Sequence, residues 1–163
     1  MTRQVQTKLQ LPDSTLFSAQ QGAKIYRNAA VSHITSAQWT QIPFDTLDFA
    51  WGNDAGIYDL ANNRLIARKT GPHLLTACIG FVLNATGSRS CVIRVNNVDK
   101  VGGIFAMAPS TAGGGVVIAS GLAYLTAGDF VTGWGYQNSG AALAYLVGAM
   151  YCSLGMHLLQ SDS

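Results

Sequence analysis

Apolar runs of strand length follow one another from about Ala23 onward: AKIYR, TQIPFD, RLIARKT, HLLTACIGFVL, CVIRVN, VGGIFAMA, VVIASGLAYL, DFVTGWGYQ and YCSLGMHLL. Between them lie NDAG, ANN, TGP, NATGS, PSTAGGG, TAGD and QNSG, which carry the glycine, asparagine, aspartate and proline that tight turns require. Such punctuation predicts an all-β sandwich or barrel. In DFVTGWGYQ, Phe130, Trp134 and Tyr136 fall on one face, and Val131, Gly133, Gly135 and Gln137 on the other. In RLIARKT, Leu65 and Ala67 oppose Arg64, Ile66 and Arg68. Both segments follow the period of two expected of strands. HLLTACIGFVL is apolar on both faces, which predicts a second covering layer, a partner subunit, because a strand of an antiparallel sandwich normally shows one face to water.

Composition sharpens this picture. The chain has 163 residues, enough for one domain with a substantial core. Its net charge is +2 and only 11% of its residues are charged, with no glutamate at all. Helical surfaces usually rely on Glu and Lys, so their scarcity argues against a helical protein. A surface so poor in charge is expected to be covered by other chains. Scattered basic residues exclude an electrostatic nucleic-acid footprint.

Residues 141–159, AALAYLVGAMYCSLGMHLL, carry no charge over a length that would suit a membrane helix. Gly148 divides the stretch into pieces of strand length, and no Lys or Arg follows to orient a span. Two strands buried on both faces are expected there, and no membrane. The N-terminal residues contain no apolar run of the secretory kind. Cys78, Cys91 and Cys152 are irregularly spaced and read as small hydrophobes in a reducing compartment.

Several short motifs occur in a shared order: IPFD at 42–45, GIYDLANNRLIARKTGPHLL at 56–75, NATGSR at 84–89, IRVNN at 93–97, LTAGDFV at 125–131 and YQNSG at 136–140. In that order they resemble the trimeric jelly roll of the complement q-subcomponent globular head and tumour necrosis factor. The resemblance is closer to the versions carried by virion proteins of tailed bacteriophages. LTAGDFV matches the family's Leu-x-x-Gly-Asp-x-Val signature. SLGMHLL at 153–159 stands where the family usually has an aromatic-containing final strand. The resemblance spans about residues 23–160. It implies an antiparallel β-sandwich jelly roll over 23–163, preceded by an extended N-terminal arm over 1–22. It also implies a homotrimer, with the uncharged 141–159 packed toward the threefold axis. Leu143, Tyr145, Leu146, Tyr151 and Leu154 are the residues expected at that interface.

In the arm, VQTKLQL alternates and Pro12 ends the pattern. Val5, Leu9, Leu11 and Phe17 are its candidate anchors, able to help add a strand to an exposed sheet edge of another subunit. Candidate chemistry is sparse. His33, His73 and His157 have no zinc-ligand spacing, and the GGG at 113–115 lacks the Lys of a phosphate loop. Asp45, Asp48, Asp54 and Asp59 read as turn-capping residues more readily than as a cation site. No catalytic residue, cofactor or metal is expected, and the chain is not read as an enzyme. The functional expectation is a capsid decoration (cement) protein of a phage virion, assembled in the host cytoplasm. Its partners would be its own copies and the major capsid protein or other virion subunits. A tail-fibre or receptor-binding tip that recognises a host-surface ligand is the alternative.

Overall fold

The computed structural model describes residues 20–29, 33–52, 56–101 and 114–160. Among the described residues thirteen strands carry the fold, with one turn of 3-10 helix at Leu60–Asn62. One sheet has five strands in the order β10 (Gly115–Leu125), β7 (Gly71–Phe81), β13 (Cys152–Leu158), β1 (Gly22–Tyr26) and β4 (Thr46–Trp51). The other runs β5 (Tyr58–Asp59), β6 (Arg64–Ile66), β11 (Phe130–Gln137), β8 (Arg89–Val95) and β9 (Val98–Val101), with β3 (Thr40–Gln41) also on β11. A two-stranded pair joins β12 (Leu143–Ala144) to β2 (His33–Ile34). All pairings are antiparallel. The all-β jelly roll read from the sequence is the observed fold.

The core fills the space between the two sheets. Ile25, Leu65, Leu75, Ile79, Phe81, Ile93, Val131 and Leu154 face one another there and are essentially inaccessible. The alternation read in β11 and β6 holds: Val131, Gly133, Gly135 and Gln137 point inward, as do Leu65 and Ala67. Gly135 is small because it must be. A Cβ placed on it would lie 2.6 Å from Ile34 Cδ1 and 3.2 Å from Ile79 Cδ1.

The turn motifs acquire physical reasons. In LTAGDFV, Gly128 takes a positive φ of 100°. Asp129 then accepts from the Thr126 N–H at 2.8 Å and from the Asn96 side-chain amide at 2.8 Å. Asn96 and Asn97 form the two-residue turn between β8 and β9, both at positive φ, as a tight hairpin of this hand requires. The Asp129–Asn96 contact thereby ties two neighbouring turns together. In YDLANNR, Asp59 caps the 3-10 turn through the Asn62 N–H and pairs with Arg64 at 2.9 Å.

Two strand readings change. TQIPFD was expected as one strand, but β3 stops at Gln41, since Pro43 has no N–H to give a sheet ladder. Thr46–Trp51, which the alternation did not single out, is β4. A bulge between Lys24 and Ile25 of β1 leaves Asp48 without a register partner, so Leu47 faces the core while Phe49 and Trp51 face out. Of VGGIFAMA only Val101 lies within the described residues, as the last residue of β9.

Candidate interaction surface

The register places side chains in rows across the outer face of the five-stranded sheet. One row reads Leu122, Leu74, His157, Gly22, Trp51, and the next Ser120, Thr76, Gly155, Lys24, Phe49. A third reads Ile118, Cys78, Ser153, Tyr26, Thr46. Bulk is concentrated at the two edges. On β10, Ile118, Leu122 and Tyr124 are 61%, 66% and 62% exposed. On β4, Phe49 and Trp51 stack with ring centroids 5.1 Å apart. Between these edges the face is low, because Gly22, Gly155 and small polar side chains line the middle strands.

A hollow of about 130 Å³ opens in that low region, walled by Phe49, Trp51 and Leu74 and reaching Gly155 and His157. A larger hollow, about 420 Å³, lies past the β10 edge against the β8–β9 turn, and Leu122 and Tyr124 line it too. The apolar surface therefore continues from the face around the edge. Lys24 and Asp48, 3.0 Å apart, form an ion pair on this face, so they neutralise each other in place.

The doubly apolar reading of HLLTACIGFVL fits this geometry. Leu75, Ala77, Ile79 and Phe81 of β7 point into the core, and Leu74 lies on the outer face, 37% exposed. Of the five expected interface residues, Leu143, Tyr145 and Leu154 are in the subunit's own core, 6%, 1% and 0% exposed. Much of the uncharged character of 141–159 is thus accounted for within one subunit: Cys152, Leu154, Met156 and Leu158 are the inward residues of β13. Leu146 is half-buried over Gly80, and Tyr151, 43% exposed, borders the outer face. Ile118, Leu122 and Tyr124 were not singled out from the sequence. The two-faced test applied to HLLTACIGFVL would have found them, since VVIASGLAYL is apolar at both parities. Val5, Leu9, Leu11 and Phe17 lie outside the described residues.

The candidate chemical groups disperse. His33 is exposed on β2, His73 is buried in β7 and His157 is half-buried on β13. Asp45 serves Arg27 and the Asn28 and Ala29 N–H groups, Asp48 pairs with Lys24, and Asp59 with Arg64. Asp54 lies outside the described residues. Among the described residues no three His, Cys or acidic side chains come together as a metal site. Burial pushes the Cys91 and Cys152 thiols up to about 12, which fits their reading as small hydrophobes; Cys78 is half-buried on the outer face. Asn84 accepts from the Thr86 N–H in a local turn. No described helix is long and apolar enough to cross a membrane.

Comparison with known proteins follows the fold. No family profile and no curated protein matches the sequence. Among solved structures, murine APRIL at pH 5.0 superposes with a TM-score of 0.62 at 13% identity, over 86% of this chain and 99% of that one. Eiger TNF from S. frugiperda gives 0.54 at 15% identity, over 87% and 94%. The globular domain of zebrafish complement 1qA gives 0.55 at 13% identity, over 86% and 98%. The chain has the tumour necrosis factor and complement 1q jelly-roll fold. At such identities the likeness is one of fold.

Proposed function

We propose that the chain is a non-enzymatic structural subunit, a homotrimer joined through the outer face of the five-stranded sheet, and that it serves as a capsid decoration protein of a phage virion. The observation that carries the assembly is the exposed apolar face itself. Monomers rarely leave a contiguous apolar patch beyond a few hundred Å² in water. Spacings of about 4.8 Å between strands and 3.3 Å along them give this face a plan area of roughly 500 Å². A stable interface needs about 800 Å² on each partner. The face alone falls short, and in this reading the adjoining β10 edge with its hollow is buried as well. The two sides of the face are unlike, an aliphatic ridge on β10 and an aromatic pair on β4. Unlike surfaces that meet head to tail form rings when the rotation between copies closes, whereas a twofold dimer joins like to like.

The virion assignment rests on the motif order in the sequence and on the low charge. In this reading the arm ahead of Gln21, which is itself buried against the sandwich, reaches a neighbouring shell subunit. The test uses purified protein, then virions. Sedimentation of the whole chain at neutral pH is expected to give three subunits. Deleting residues 1–19, ahead of the buried Gln21 and of β1, is expected to leave that trimer intact and to lower capsid occupancy at least tenfold, because three arms act through a shared effective concentration. Normal occupancy of the armless trimer overturns the clamp. Loss of host attachment with full capsid occupancy would mark a receptor-binding tip instead.

A further inference from the structure

Past the β10 edge lies the larger hollow, about 420 Å³, between β10 and the turn that joins β8 to β9. Cavities that bury a ligand-sized group run from about 300 to about 1,000 Å³. Leu122, Val95 and Val98 give this one apolar walls, and Asp129 and Asn96 give it hydrogen-bonding side chains. Asp129 stands apart from the other aspartates of the described residues. Asp45, Asp48, Asp59 and Asp99 each lie within 3.0 Å of a lysine or arginine nitrogen, and Asp129 is in no such pair. It accepts from the Thr126 N–H and the Asn96 side-chain amide, both at 2.8 Å. A carboxylate has about four acceptor sites, so it can take a further donor. The hollow thus suits an apolar group that also donates one hydrogen bond.

Such a group stands at the opposite edge of the face. Trp51 is 39% exposed on β4, and its ring lies over Gly22, where any Cβ would strike it. Phe49 stacks on it at 5.1 Å and the His157 ring leans on it from 5.2 Å, so the indole is held in place. The Trp134 N–H donates to Thr132, whereas the Trp51 N–H has no acceptor among the described residues. Water serves it while the face is open. A second copy that covers the ring must supply an acceptor instead, because a buried donor left unpaired weakens association. Lys24 on the same face is already held by Asp48.

Leu122 and Trp51 end the same row of the register. A rotation about an axis along the strands therefore carries the Trp51 edge of one copy to the Leu122 edge of the next without a slide along the strands. A head-to-tail contact of that kind can close into a ring. We propose that the Trp51 indole seats in this hollow of a second copy, against Leu122 and Val98, and donates its Nε1–H to Asp129. The proposal rests on the reading of this face as the subunit interface, and it names the contact at the centre of the junction. A buried aromatic covers about 150–250 Å². The lining that closes on it, Val98 and the β8–β9 turn, lies beyond the roughly 500 Å² of the face. This one contact therefore makes up much of the difference from the about 800 Å² that a stable interface needs.

The experiment measures assembly of the whole chain by sedimentation across concentrations at neutral pH, with near-ultraviolet circular dichroism as a check on folding. Trp51→Phe keeps a ring and loses the donor. It is expected to raise the concentration for half-assembly about tenfold, as loss of a hydrogen bond to a charged group does. Asp129→Asn should act alike, and the double variant should be no weaker than either single one, since both remove the same bond. Val98→Trp fills the hollow from a position that is 57% exposed, so it should fold and fail to assemble. That variant decides the matter if Asp129→Asn loses its near-ultraviolet signal through its own turn. Emission of the wild type should shift to the blue on assembly, and Trp51→Phe should lose that shift. Wild-type assembly by both Trp51→Phe and Val98→Trp, with Leu122→Asp still dissociated, overturns the seat and leaves the face standing as the interface. Losses that simply multiply in the double variant overturn the hydrogen bond to Asp129. A wild type that is monomeric at every concentration sinks the interface reading and this proposal together.

Discussion

On the outer face of the six-stranded sheet the large rings have cover. Arg94 lies over Trp134 at 4.1 Å and is held by Asp99 at 2.6 Å. Arg64 lies over Phe130 at 5.0 Å and is held by Asp59 at 2.9 Å. Trp39 leans on Tyr136 with centroids 5.3 Å apart, and the Trp134 Nε1–H donates to Thr132 at 2.9 Å. On the five-stranded sheet, Ile118 and Leu122 of β10 are largely exposed, and Phe49 and Trp51 stack on each other, with Trp51 also against the His157 ring. Both faces belong to amphipathic strands of one sandwich and pack the same core. They differ in what lies above the apolar atoms. Guanidinium groups and carboxylates make a surface that water tolerates, whereas the face of the five-stranded sheet carries one such pair, Lys24 with Asp48, away from its apolar edges.

The largest effect expected from breaking this contrast comes from one charge placed at two depths. Leu154→Asp puts an unpaired carboxylate in the core, where the cost is several kcal/mol. That is a large share of a typical stability of about 5–15 kcal/mol. We expect no folded subunit, seen as loss of the near-ultraviolet signal. Leu122→Asp puts the same charge on the bare face, and a folded but monomeric subunit is expected by light scattering. If the Leu122 variant remains fully assembled, the bare face is not the interface.

The covered face should answer the other way. Arg94→Ala removes a ring contact worth about 0.5–1 kcal/mol and a surface ion pair worth about 0.2–1 kcal/mol. The denaturant midpoint should fall by an amount equal to about 1 kcal/mol of subunit stability, with assembly unchanged. A change in oligomeric state would mean that both faces meet other chains.

How much of this contrast the sequence shows depends on the strand. In β11 and β6 small or apolar residues alternate with large or polar ones, so period two gives their faces directly. β10 is apolar at both parities, and its pattern says strand without saying which side is covered by what. β4 is hidden for another reason, since the bulge at Asp48 breaks the alternation of Leu47, Phe49 and Trp51. Residues 141–159 are uncharged for a reason that alternation does not show. Leu143, Tyr145 and Leu154 are apolar for the subunit's own core, and no composition argument separates a core residue from an interface residue. Only the register separates inward from outward residues, and it places Leu122 and Trp51 at opposite ends of one outward row.

The smallest effect, and the sharpest comparison, sets two carboxylates against each other. Asp45 joins the end of β1 to the start of β4: it pairs with Arg27 at 2.7 Å and accepts from the Asn28 N–H, the Ala29 N–H and the Thr46 hydroxyl. Desolvation pushes its carboxyl up, but these hydrogen bonds and the Arg27 charge together outweigh it and hold the group below the usual carboxylate value. Asp59 does the corresponding task on the other sheet. The Asn62 side-chain hydrogen bond is the main reason that its carboxyl also lies low, with Arg64 adding to it against a smaller desolvation. A carboxylate lowered by folding contributes stability that is present above its unfolded value, about 3.9. That contribution is lost as the pH falls through the lower folded value. Asp45→Asn and Asp59→Asn should therefore both flatten the loss of subunit stability below about pH 4. At neutral pH the two should part. Asp45 positions the β1–β4 edge that bears Phe49 and Trp51, so its asparagine variant is expected to assemble severalfold more weakly by sedimentation. Asp59 supports the face already covered by arginine, and its variant should assemble as the wild type does. Equal weakening by both would show that assembly follows subunit stability in general, and the division of labour between the two faces would fail.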